Sequence, residues 1–148
     1  MEQKNSSKLI WLSVLAWTML IFYMSLNTGE DSGALSGNIT KSILDFLSSL
    51  GIHISFESAH HFIRKAAHFS EYAVLGLLVC NAQKKAPLLM QSAPVICFWM
   101  VLVPALDETL QHFVPGRYGA LSDVLLDVCG YAFAAVLFAL FAKRKASH

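Results

Sequence analysis

An all-α, polytopic membrane protein, with four transmembrane helices and one short external amphipathic helix, is the fold class this sequence predicts. Three observations predict it. Apolar residues make up 55 % of the 148 residues against 14 % charged, whereas soluble domains carry about 25 % charged residues. The apolar residues are gathered into blocks, and a spanning helix needs roughly 17–25 of them in a row. The few charges cluster where those blocks begin and end. At this length one domain over residues 1–148 is expected.

The first span is residues 9–26, uncharged and preceded by Lys4 and Lys8. It reads as a retained anchor. Its apolar stretch exceeds that of a signal peptide, and the best cleavage-like triplet, Ser32-Gly33-Ala34, lies beyond a polar stretch. Next comes the external helix. Asn38 is placed to cap it, Ile39, Ile43, Phe46, Leu47 and Leu50 share one face, and Gly51 stops it. Such a helix lies along the membrane interface as a connector.

The second span, 62–83, carries Arg64, Lys65, His68 and Glu71 in its first half. The third, 86–106, is uncharged, and Pro94 inside it predicts a kink. Asp107, Glu108 and Gln111 emerge where it ends, and Pro115-Gly116 reads as a tight turn that aims Arg117 back toward them. The fourth, 121–142, holds Asp123 and Asp127 early and runs into Lys143-Arg144-Lys145.

Basic residues set the orientation. Lys4, Lys8, Lys84, Lys85, Lys143, Arg144 and Lys145 fall on one side, and Lys41, Arg64, Lys65 and Arg117 on the other. The excess places both termini in the cytoplasm of a cell-membrane protein. Every acidic residue except Glu2 then lies on the outer side, with all the histidines but His148.

Several classes drop out. A net charge of +1 with no Lys/Arg stripe gives nucleic acid no track. Cys80, Cys97 and Cys129 each sit in an apolar block without CxxC spacing and read as packing residues. No GxSxG, Walker or Rossmann fingerprint is present, so no cofactor is expected. His68 with Glu71, Asp107 or Glu108 offers metal-ligand types, but no HExxH-like spacing occurs and no metal is expected.

The remaining polar residues form one constellation. Arg64, His68 and Glu71, spaced i, i+4 and i+7, share a helical stripe. Counting back from Lys84 at 1.5 Å per residue puts Glu71 about 10 Å and His68 about 6 Å below the outer surface. Counting from Lys143 puts Asp127 about 6 Å deep and Asp123 at the edge. The expectation is an outward-facing cavity that gathers Arg64, Lys65, His68, Glu71, Asp107, Glu108, Gln111, Arg117, Asp123 and Asp127. Arg64, Lys65 and Arg117 suit a phosphate or carboxylate clamp. His68 with Glu71 or Glu108 suits acid/base work. A salt-bridge network that merely fastens helices is a third reading. His60 and His61 read as interfacial, and Tyr23, Ser25 and Tyr72 as interfacial or packing residues.

Three blocks, RKAAHFSEYAVLG from Arg64, LDETLQHFVPGRYG from Leu106 and SDVLLDVCG from Ser122, resemble the VanZ-like family of small bacterial membrane proteins. The family pattern has Asn where this chain has Asp127, which adds an acid to the cavity. The resemblance implies a cell-envelope protein, and its namesake is associated with low-level resistance to teicoplanin, a lipid-tailed glycopeptide. The function expected is therefore binding of a lipid headgroup or lipid-linked precursor in the outward cavity. The alternative is a hydrolase or transferase acting at a phosphate or acyl linkage, with His68, Glu71 and Glu108 catalytic. Membrane lipids or a lipid-linked envelope precursor are the expected partners, with no nucleic acid and no protein partner named.

Overall fold

A computed structural model describes the backbone of residues 2–146 and the side chains of residues 9–144. Its described residues form five helices and no strand: α1 Glu2–Ser25, α2 Gly29–Ser49, α3 Phe56–Lys85, α4 Ser92–His112 and α5 Leu121–Ala146.

The break after α1 is short because Thr28 restarts the chain as a helix at once. Its hydroxyl accepts from the Asp31 amide at 3.1 Å and donates to the Asp31 carboxylate at 2.7 Å. Glu30 and Asp31 in the first turn suit the positive end of the helix dipole. The expected cap at Asn38 is thus corrected: Asn38 is mid-helix and exposed, and α2 is 21 residues long. The expected stop holds. Leu50 closes α2 and Gly51 takes φ +79°, a left-handed conformation that glycine adopts without strain. Ile39, Ile43, Phe46 and Leu50 stay at least 40 % exposed, so most of this apolar face is left open among the described residues.

Ser55 caps α3 through the Ser58 amide at 3.4 Å. At 30 residues α3 measures about 45 Å, longer than a hydrocarbon core of about 30 Å. Its C-terminal end meets the largest departure from the sequence reading. Residues 86–91 are not helical; Pro87 disfavours helical geometry at Ala86. The buried Gln83 satisfies the freed backbone, donating to the Leu89 carbonyl at 2.7 Å and accepting from the Leu88 amide at 3.1 Å. Helix α4 therefore starts at Ser92. Pro94 falls in its first turn, where a missing N–H leaves no hydrogen bond unmade, and Pro104 is the proline inside the helix. The third apolar helix is displaced toward the C-terminus, so Asp107, Glu108 and Gln111 belong to it and are buried.

Helices α3 and α5 form the tightest pair. A Cβ on Gly130 would come within 2.3 Å of the Phe69 carbonyl oxygen, and one on Gly76 within 2.7 Å of that of Tyr131. Small residues of this kind let membrane helices approach backbone to backbone. Helix α1 lies across α3 and α4. Its Trp17 indole donates to the Glu71 carbonyl at 2.9 Å and its Trp11 indole to the Ala86 carbonyl at 2.7 Å. Between them sits a core of Val14, Ile21, Tyr72, Leu75, Val79, Val103 and Tyr131.

Outside this core the order of a water-soluble protein is inverted. Leu12, Met19, Phe98, Val101, Leu125, Phe133, Val136 and Phe141 are exposed, while Asp107, Glu108 and Asp127 are buried. By length and composition Ser92–His112 and Leu121–Arg144 each qualify as a membrane span. A third crossing results if Leu9–Ser25 and Gly29–Ser49, bent by 104°, count as one broken span. Helix α3 is absent from that set; Arg64, Lys65 and Glu71 occupy its first half.

Candidate functional site

At the polar end of the bundle, helical spacing delivers side chains from three elements to one level. On α4, Asp107 and Gln111 are one turn apart with Glu108 adjacent; on α5, Asp123 and Asp127 are one turn apart; on α3, Arg64, His68 and Glu71 share a stripe. His68, Asp107, Glu108 and Asp127 each bring one ligand-type atom to a point where all lie within 4.8 Å of one another. Relative exposure is 0 % for Asp127, 1 % for Asp107 and 5 % for Glu108. His68 Nδ1 lies 3.5 Å from Asp127 Oδ1.

Hydrogen bonding around this quartet is one-sided. Gln111 Nε2 donates to Asp107 Oδ2 at 3.3 Å and to Ser25 Oγ at 3.3 Å. Glu108 Oε2 accepts the Ala120 amide at 2.9 Å. Ala120 can come so near because Gly119 rests against the Glu108 carbonyl; a Cβ there would sit 2.2 Å from that oxygen. The other oxygens, Asp107 Oδ1, Glu108 Oε1 and both of Asp127, are buried without a hydrogen-bond partner, as is the Tyr72 hydroxyl.

Above the quartet opens a cavity of about 230 Å³ between the end of α1, α2 and α3. Arg64, His68, Glu71, Arg117, Ser25, Ser32 and Ser36 supply its polar lining; Met24, Leu35, Ile39 and Ile63 supply apolar walls. Arg117 is aimed inward by the turn before α5. Gly116 adopts φ +75°, the Gly29 amide donates to Pro115 at 3.0 Å, and Arg117 Nη2 donates to the Met24 carbonyl at 3.1 Å. Burial, and then the nearby Arg64 guanidinium, push Arg117 below its ordinary value, yet it stays a cation. Neither arginine joins an ion pair among the described residues.

The sequence-predicted residues thus divide. Arg64, His68, Glu71 and Arg117 line the cavity. Asp107, Glu108 and Asp127 gather beneath it with His68, and Gln111 braces Asp107. Lys65 and Asp123 form an ion pair with each other. They border a second recess of about 510 Å³ with Glu57, His60, His61 and Tyr118. His60, read as interfacial, hydrogen-bonds Ser36 Oγ through Nε2 at 2.7 Å. Ser25, Ser32 and Ser36 were not among the expected lining residues. A helix started at Thr28 would have put Ser32 and Ser36 one turn apart on one face.

A helical membrane protein with a buried His–carboxylate cluster beneath an arginine-bearing cavity is the class that fold and site define. The VanZ/LLP1 family profile matches residues 10–142, and the chain belongs to that family. No curated protein and no solved structure matches it. Family membership and the apolar helices together make it a membrane protein of the cell envelope.

Proposed function

We propose that this protein holds the anionic headgroup of a membrane lipid or lipid-linked envelope precursor in the cavity between α1, α2 and α3. The observation that carries this reading is that Arg64 and Arg117 line one cavity with apolar walls. Their planar donor pairs match phosphate oxygens. Leu35, Ile39 and Ile63 beside them suit the first methylenes of an acyl chain.

In this reading the polypeptide crosses the membrane four times with both termini in the cytoplasm. The cavity then opens to the outer leaflet, where a lipid-tailed glycopeptide of the teicoplanin type would anchor. Occupying or altering those lipids is the route by which such a protein would bear on resistance.

Turnover is the second reading, favoured by the 3.5 Å approach of His68 to Asp127. In it His68 acts as general base on a phosphate or acyl linkage, Glu71 and Glu108 assist, and the arginines clamp the charge. A purely structural network has less support, since fastening side chains would leave fewer orphaned oxygens.

Mass spectrometry of lipids retained by the purified protein tests the reading. A co-purifying anionic lipid is expected, and Arg117→Ala should lower its retention by roughly tenfold, the loss of one charge-assisted contact. Equal lipid content in wild type, Arg64→Ala and Arg117→Ala would exclude it. Release of a cleaved or transferred product by wild type, abolished in His68→Gln, would favour turnover.

A further inference from the structure

We infer that His68, Asp107, Glu108 and Asp127 form a divalent-cation site, with Mn2+ the best-matched ion. The ligand atoms lie within 4.8 Å of one another. Opposed ligands of a first-row divalent ion stand about 4.0–4.4 Å apart, so small side-chain rotations close the set. The residues come from α3, α4 and α5, which is why no contiguous spacing betrays them in the sequence.

The hydrogen bonds give independent support. Each α4 carboxylate has one oxygen held by an N–H group, from Gln111 or from Ala120, and its other oxygen unpartnered. Asp127, wholly buried, has no hydrogen bond on either oxygen and meets His68 Nδ1 at 3.5 Å. Holding the outer oxygen and leaving the inner one free is how surrounding groups orient metal-binding carboxylates. The inward-aimed oxygens are shielded from solvent and His68 is the one basic member of the quartet, so a cation among them offsets the crowding of three carboxylates.

Ligand chemistry narrows the ion. Three carboxylates are hard donors and exclude Cu(I); the single imidazole is better matched to a first-row ion than to Mg2+ or Ca2+. Four protein ligands leave an octahedral ion two open positions. His68 also lines the arginine-bearing cavity, so those positions are reached from it. The site stands apart from the headgroup reading, because the metal alone is its ligand.

The test uses the full-length protein in detergent, stripped with a chelator and titrated with Mn2+. Wild type should bind about one ion per chain, with altered Mn2+ EPR hyperfine lines and a higher melting temperature. Asp127→Asn and Glu108→Gln should weaken binding by at least about tenfold, and Asp45→Asn, on the exposed face of α2, should leave it unchanged. If either buried variant fails to fold, His68→Gln replaces it, since His68 borders open space. Absence of stoichiometric Mn2+ from wild type, or equal affinity in Asp127→Asn, Glu108→Gln and His68→Gln, would overturn the assignment.

Discussion

Asp127 concentrates the physics of this protein. Its carboxylate is fully buried, meets His68 at 3.5 Å and has no hydrogen-bond donor on either oxygen. Replacing it with Asn keeps the shape and removes the acid. Without metal, Asp127→Asn should therefore be at least as stable as wild type, by about 1–3 kcal/mol at most. With Mn2+ the order should reverse, because only wild type gains. Melting curves in detergent, with chelator and with Mn2+, check both signs. Lys65 and Asp123 are the opposite case. Their side chains are 33 % and 22 % exposed, so the pair is worth little. A double-mutant cycle with Lys65→Met and Asp123→Asn should give a coupling of about 1 kcal/mol or less. The residue types at the site were legible because charges are rare in this chain and cluster. Their division into cavity, quartet and ion pair was not. It depends on how far α4 extends and how closely three helices meet.

At the level of elements, the helices were legible from apolar runs, whereas two of their boundaries were not. Thr28 looks like part of a polar linker until its hydroxyl is seen on the Asp31 amide. The prolines of residues 86–106 suggested a kinked span; instead Pro87 keeps the link non-helical and Pro94 sits harmlessly in the first turn of α4. That displacement carries Asp107 and Glu108 into the bundle, so residues expected to emerge at a helix end are instead buried within α4. Close approach of α3 and α5 depends on Gly130. Gly130→Ala would drive a Cβ to 2.3 Å from the Phe69 carbonyl. Neither backbone can yield locally, so a loss of about 1–3 kcal/mol or more is expected. It should appear as a lower yield of monodisperse protein and a lower melting temperature.

At the scale of the bundle, large apolar residues face outward while Asp107, Glu108 and Asp127 are buried, the arrangement that a hydrocarbon surround selects. How often the chain crosses is decided by α3 and the α1–α2 bend, because among the described residues only α4 and α5 qualify alone. Four crossings with cytoplasmic termini predict a specific labelling pattern. In a chain whose three native cysteines are replaced by serine, a cysteine at Tyr118 should react with an impermeant maleimide in intact cells. One at Leu89, in the link before α4, should react only after permeabilisation. The reverse pattern would turn the cavity to the cytoplasm.

The claim that the cavity holds an anionic headgroup has one direct measurement. Ser32 lines that cavity, so Ser32→Cys in the cysteine-free chain reports its occupancy through the rate of maleimide labelling in micelles. Short-chain phosphatidylglycerol should slow the reaction by about tenfold, phosphatidylcholine far less, and Arg117→Ala should remove the difference. Labelling that proceeds at the same rate with either lipid, while Arg117 is intact, would contradict the account.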